Sequence, residues 1–125
     1  VYLAGPFFNL AQRWLVEEAR IHLMAQRMEV FSPVHDIGPG PADIVVPADL
    51  EALLGCDRVL ALVDGCDAGT IFEIGYARAR QIPVVAFAQN TSDGDLKMLT
   101  GSGCIVVDDF VTAIYHTSWV DGAVT

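Results

Sequence analysis

Glu73 is the residue most out of place in this chain. It sits in the run Asp67-Ala68-Gly69-Thr70-Ile71-Phe72-Glu73-Ile74-Gly75-Tyr76-Ala77, with apolar side chains on both sides. A carboxylate among such neighbours is costly unless it is paired or hydrogen-bonded. The run reads as a helix over 70–80 with Glu73 in its first turn, where unpaired backbone N–H groups favour an anion. Burial raises a carboxylate's pKa and a helix N-terminus lowers it, so the two effects oppose each other here. Kept ionised near neutral pH, such a group has nucleophilic chemistry. The structural alternative is a capping box, with Thr70 as N-cap three residues before Glu73. Asp67 is open in the same way, either as a ligand acid or as a turn residue before Ala68-Gly69.

Two further segments carry chemistry. In Tyr2-Leu3-Ala4-Gly5-Pro6-Phe7-Phe8-Asn9, Gly5 lets the backbone approach a ligand closely. Phe7 and Phe8 follow directly on a strand break and could offer a stacking surface to a planar base, or fold into the core. Tyr2 lies within a strand, and its hydroxyl needs a partner if buried. In Pro47-Ala48-Asp49-Leu50-Glu51-Ala52, Asp49 falls in a predicted first helical turn, where an acid ordinarily offsets the helix dipole. Asp57 reads as structural.

These segments need a frame that brings them together. Apolar runs alternate with helical patterns, the sign of a parallel sheet wrapped by helices. Strands are predicted over 1–4, 28–31, 58–63, 83–87 and 104–107. Helices are predicted over 10–27, 47–54, 70–80 and 110–119, with one turn at 96–100. Residues 34–46, rich in Gly and Pro, read as the longest loop. The expectation is an α/β, flavodoxin-like (Rossmann-like) five-stranded parallel sheet in the order 2-1-3-4-5, with helices on both faces, forming a single domain over 1–125. In such sheets ligands sit beyond the carboxyl ends of the strands, where the order reverses. That crevice would be reached by residues 5–9 and 64–73, the segments already singled out.

Composition excludes several classes. The 125 residues are 53% hydrophobic, too apolar for a disordered chain. No apolar run approaches the ~20 residues that cross a bilayer, and no charged-then-apolar stretch opens the sequence. The formal net charge of −9 argues against nucleic-acid and anionic membrane partners. Cys56, Cys66 and Cys104 form no close-spaced pair and read as reduced thiols in a cytoplasmic protein. His22, His35 and His116 lack ligand spacing, so neither a metal nor another cofactor is expected.

Taken together, the Tyr2 to Phe8 segment, the Asp49 helix, and Asp67-x-Gly69-Thr70-x-x-Glu73-x-Gly75-x-Ala77 resemble the nucleoside 2-deoxyribosyltransferase family. The resemblance runs from Val1 to about Val85, roughly two-thirds of the chain. It implies a two-step, retaining cleavage of the N-glycosidic bond of a (2-deoxy)nucleoside, with the deoxyribosyl group passed to an acceptor base. Glu73 matches the family's nucleophile and Tyr2 the tyrosine that holds it. Asp67 matches the acid that binds sugar hydroxyls, and Asp49 the acid beside the leaving base. Gly5, Phe7, Phe8 and Gly69 would complete the substrate-binding set. The resemblance also implies a homo-oligomer whose ligands are a nucleoside and a free base. The first loop lacks the Arg of relatives that act on 5′-monophosphates. Lys97 stands where a neighbouring subunit's amide contact is expected, and the ending 119–125 is similar to that of some transferases. Two alternatives stay open: an N-glycoside hydrolase of nucleosides or nucleoside 5′-monophosphates, and a non-catalytic nucleoside-binding module.

Overall fold

The computed structural model describes residues 1–120; residues 121–125, and with them most of the ending noted above, lie outside the described part. Four parallel strands form one sheet in the order β1 (Tyr2–Ala4), β2 (Val59–Leu62), β3 (Val84–Phe87), β4 (Ile105–Val107). Among the described residues six helices accompany them: α1 (Leu10–Ala25), α2 (Pro33–Asp36), α3 (Ala42–Leu54), α4 (Ala68–Ala79), α5 (Asp93–Gly101) and, after the last strand, α6 (Phe110–Trp119).

This corrects the expected five strands in the order 2-1-3-4-5. The segment 28–31 makes a single parallel bridge, Tyr2 with Phe31, on the outer side of β1. Phe31 N donates to Val1 O at 2.8 Å and Leu3 N donates to Phe31 O at 2.9 Å. The reason lies at its two ends. Arg27 turns out of α1 with a left-handed φ of 63°, and Pro33, which has no N–H to offer a ladder, opens α2. Too few residues remain between them to extend the pairing.

Alternation along the strands divides the interior in two. Tyr2, Ala4, Val59, Ala61, Val84 and Ala86 pack with Leu53 of α3, Ile74 and Ala77 of α4, and Leu96 and Leu99 of α5. Leu3, Leu60, Leu62, Val85 and Phe87 pack with Val16, Ala19 and Leu23 of α1 and Ala113 and Ile114 of α6. The helices therefore cover both faces, as expected. The chain leaves β1 through α1 on one face and returns to β2 through α3 on the other. The crevice at their carboxyl ends opens between these two connections. None of the described helices is long and apolar enough to cross a membrane.

Two local boundaries differ from expectation in ways that bear on the site. Helix α3 begins at Ala42 rather than Pro47, so Pro47 lies inside it. A proline there removes one helical hydrogen bond, to the Asp43 carbonyl; Asp43 is exposed, so water can take that group. Asp49 consequently stands mid-helix, where the dipole reading does not apply. Helix α4 is capped by Asp67, whose Oδ2 accepts from Thr70 N at 3.1 Å and from Thr70 Oγ1 at 3.3 Å. Thr70 is thus the capped residue and not the cap, and Glu73 falls in the second turn. The capping-box alternative for Glu73 is removed with it.

Candidate active site

Three elements build the site on one face of the sheet. Tyr2 is fully buried in β1, on the side covered by α3 and α4. Its hydroxyl donates to Glu73 Oε2 of α4, across 71 residues of sequence. Asp49 approaches from α3. Between the two helices lies a pocket of about 370 Å³ lined by Val46, Asp49, Leu50, Gly69, Phe72 and Glu73. The helical spacing explains this lining. Val46, Asp49 and Leu50 share one face of α3, and Gly69 lies one turn before Phe72 and Glu73 on α4. The walls are mostly apolar, and the polar groups are carboxylates.

Electrostatics distinguish these acids from surface residues. Burial pushes the Glu73 carboxyl up to about 7; the Tyr2 hydrogen bond pulls it down, and the charges of Asp49 and Asp67 push it up. The Tyr2 phenol is held far above its ordinary range by burial and by Glu73, so it stays a neutral donor. Asp49 is raised by burial. Its Oδ1 is buried without a hydrogen-bond partner among the described residues. A buried polar atom left unpaired in a native fold calls for a ligand or a proton. Asp67 spends one carboxylate oxygen on the α4 cap. Gly69 fits tightly beside it, since a Cβ there would come within 3.2 Å of Asp67 Oδ2.

The first loop goes elsewhere. Phe7 packs with the α1/α6 side of the core and lies under the Arg13 guanidinium, 5.0 Å from its ring centroid. Phe8 is exposed. A Cβ on Gly5 would meet the Leu62 side chain at 3.1 Å, so packing alone accounts for that glycine. None of the three lines the Glu73 pocket. Asp64, in the second nominated loop, is engaged by Gln89 N at 3.0 Å, Asn90 N at 2.8 Å and Thr91 Oγ1 at 2.8 Å, which ties down the loop after β3. A larger cleft of about 860 Å³ opens among Val1, Glu29, Asp57 and Arg58, before the strands begin. Its Arg58 is committed to Asp57 and to the Thr117 carbonyl at the end of α6.

The sequence profile of the nucleoside 2-deoxyribosyltransferases matches residues 1–111. The chain belongs to the nucleoside 2-deoxyribosyltransferase family. A 2-deoxyribosyltransferase from the psychrotolerant bacterium Bacillus psychrosaccharolyticus superposes with a TM-score of 0.78 at 26% identity, over 96% of this chain and 90% of that one. A conserved protein from Enterococcus faecalis V583 gives a TM-score of 0.59 at 26% identity, over 93% and 86%. A 2-deoxyribosyltransferase from Leishmania mexicana shares the fold, with a TM-score of 0.71 at 21% identity over 94% and 95%. No curated protein matches the sequence.

In this deoxyribosyltransferase-family chain, Val46, Leu50 and Phe72 are pocket residues that sequence reasoning passed over. The signal was present for α3: Val46, Asp49 and Leu50 have helical spacing once the helix is started at Ala42. A second constellation was not foreseeable. Ser32 Oγ lies 2.8 Å from His35 Nδ1, and His35 Nε2 contacts Glu17 Oε1. A carboxylate only accepts, so Nε2–H donates to Glu17, and with the imidazole neutral Nδ1 accepts from the Ser32 hydroxyl. Nucleophile, imidazole and acid are all present, yet Ser32 is 1% exposed and no substrate reaches it. The network ties α2 to α1.

The Tyr2–Glu73 bond can be tested directly. Tyr2→Phe removes the one interaction that lowers the Glu73 pKa. A carboxyl-detected NMR titration should find Glu73 titrating higher in the variant than in the wild type. An unchanged or lowered midpoint would show that the phenol does not hold the charge.

Proposed function

We propose that this protein cleaves the N-glycosidic bond of a 2-deoxynucleoside and passes the deoxyribosyl group to an acceptor base. The observation that carries the reading is the mostly buried Glu73, hydrogen-bonded by Tyr2 and sharing one pocket with Asp49, whose Oδ1 has no partner among the described residues. Glu73, with a pKa of about 7, is ionised in a large fraction of molecules near neutral pH. Its carboxylate attacks C1′ of the sugar while the bond to the base nitrogen breaks. The sugar passes through an oxocarbenium-like transition state, which a nearby carboxylate stabilises before bonding to it. The bonding electrons leave on the base nitrogen, which takes the proton of Asp49. The acceptor base then attacks C1′, returns a proton to Asp49 and frees Glu73. Two displacements at one carbon retain its configuration. A 2-deoxy sugar lacks the electron-withdrawing hydroxyl beside C1′, which makes the cation easier to form. Asp67 supplies for sugar hydroxyls the oxygen that the α4 cap leaves free.

The walls formed by Val46, Leu50 and Phe72 favour a flat, largely apolar acceptor over water. The decisive assay follows a 2-deoxynucleoside with and without a second base. Formation of the new nucleoside should outpace release of free sugar. Release of base at the same rate without acceptor would make the protein a hydrolase instead. We also infer a homo-oligomer. Trp14 on α1 is 63% exposed and Trp119 on α6 is 72% exposed, and solvent-facing indoles on adjoining helices suit a subunit contact.

A further inference from the structure

The aromatics that the sequence offers for stacking, Phe7 and Phe8, stand away from Glu73, but the pocket has an aromatic of its own. We infer that Phe72 is the platform on which the nucleobase stacks, and that it governs how tightly the nucleoside is held. The inference rests on the nucleoside reading above and names the part of the pocket that takes the base.

Position is the first argument. Phe72 lines the same pocket as Asp49 and Glu73, with Val46 and Leu50 contributed by the facing helix. A planar ring lying between Phe72 and that aliphatic wall has its edge toward the two carboxylates. This is the orientation in which the glycosidic nitrogen meets a proton donor and the sugar carbon meets a nucleophile.

Preorganisation is the second. Phe72, Tyr76 and Arg80 follow one another at helical spacing along α4. The Phe72 and Tyr76 rings stack at 6.1 Å with 24° between their planes. The Arg80 guanidinium lies 3.7 Å from the Tyr76 centroid. The Phe72 ring is therefore backed by two further side chains while the residue remains 58% exposed. A side chain already held in its bound orientation loses less entropy when a ligand arrives. Stacking accepts any base, because every base has a π-face. Phe72 thus sets affinity, and the choice among bases is left to polar groups such as Asp49.

The test uses Phe72→Leu and Phe72→Trp in the full chain, with deoxyadenosine, thymidine and their free bases as probes. Base–aromatic stacking predicts that Phe72→Leu raises KM and the equilibrium Kd of the better-bound base by roughly tenfold. kcat should stay nearly unchanged, because the stack holds ground state and transition state alike. Phe72→Trp should retain wild-type affinity. Unchanged affinity in Phe72→Leu overturns the inference. A loss of affinity that accompanies a fall in molar mass also overturns it, and makes Phe72 a subunit contact. Base binding that weakens in Phe72→Leu, in a protein that transfers no glycosyl group, upholds the platform and sinks the proposed reaction. Failure of the wild type to bind any of the four probes sinks both.

Discussion

Replacing Glu73 with Gln is expected to lower kcat by at least about 10⁴-fold and to leave the fold intact. The amide keeps the shape of the carboxylate and still offers Tyr2 a carbonyl oxygen to donate to. What it loses is the charge and the nucleophilic oxygen. Stability supplies an independent readout. Folding raises the Glu73 pKa from 4.5 to about 7, so the folded chain holds that proton more tightly than the unfolded one. Its contribution is therefore most favourable below pH 4.5 and is lost as the pH rises through about 7. The loss amounts to about 3 kcal/mol at most. Gln cannot ionise, so Glu73→Gln escapes it. Urea midpoints should show the variant gaining on the wild type across that window and running parallel above it. Turnover close to the wild type would remove Glu73 as nucleophile. Parallel midpoints throughout would mean that its carboxyl is not buried in solution.

How far the site was legible in the sequence depends on what each residue answers to. The layered α/β architecture was legible because alternation and apolar runs are local properties. Leu3 and Leu60 face one helical layer, Tyr2 and Val59 the other, as a period of two requires. The fifth strand was not, because residues 28–31 have strand-like composition, while pairing depends on the turn at Arg27 and on Pro33. Thr70 and Asp67 are both good N-caps, and Thr70-x-x-Glu73 imitates a capping box. What decides between them is the acceptance of Thr70 N by Asp67, a contact that the sequence leaves open. Pro47 looked like a helix start because proline favours that position, and this hid the first turn of α3 and the pocket residue Val46. The pairing of Tyr2 with Glu73 was accessible only through resemblance, since a separation of 71 positions erases any local signal. Phe72 was overlooked because residues beside a charged group in a helix usually point elsewhere, and only the opposing helix turns that flank into a wall.

Asp49→Asn should lower kcat by about 10²- to 10⁴-fold for nucleosides with ordinary bases, the usual worth of general-acid assistance. Burial raises the half-buried Asp49 carboxyl, and its Oδ1 is unpaired among the described residues, which suits a group that protonates the departing base. An amide of the same shape has no such proton to give. The loss should shrink for a nucleoside whose base leaves as a stable anion, since that bond breaks without help. The pH profile should change as well. The alkaline limb, which reports loss of the acid's proton, should disappear. If Asp49→Asn is impaired equally for good and poor leaving bases, Asp49 binds substrate without protonating it. The proton for the departing base would then come from solvent, and the buried unpaired oxygen of α3 would be a hydrogen-bond acceptor for the base.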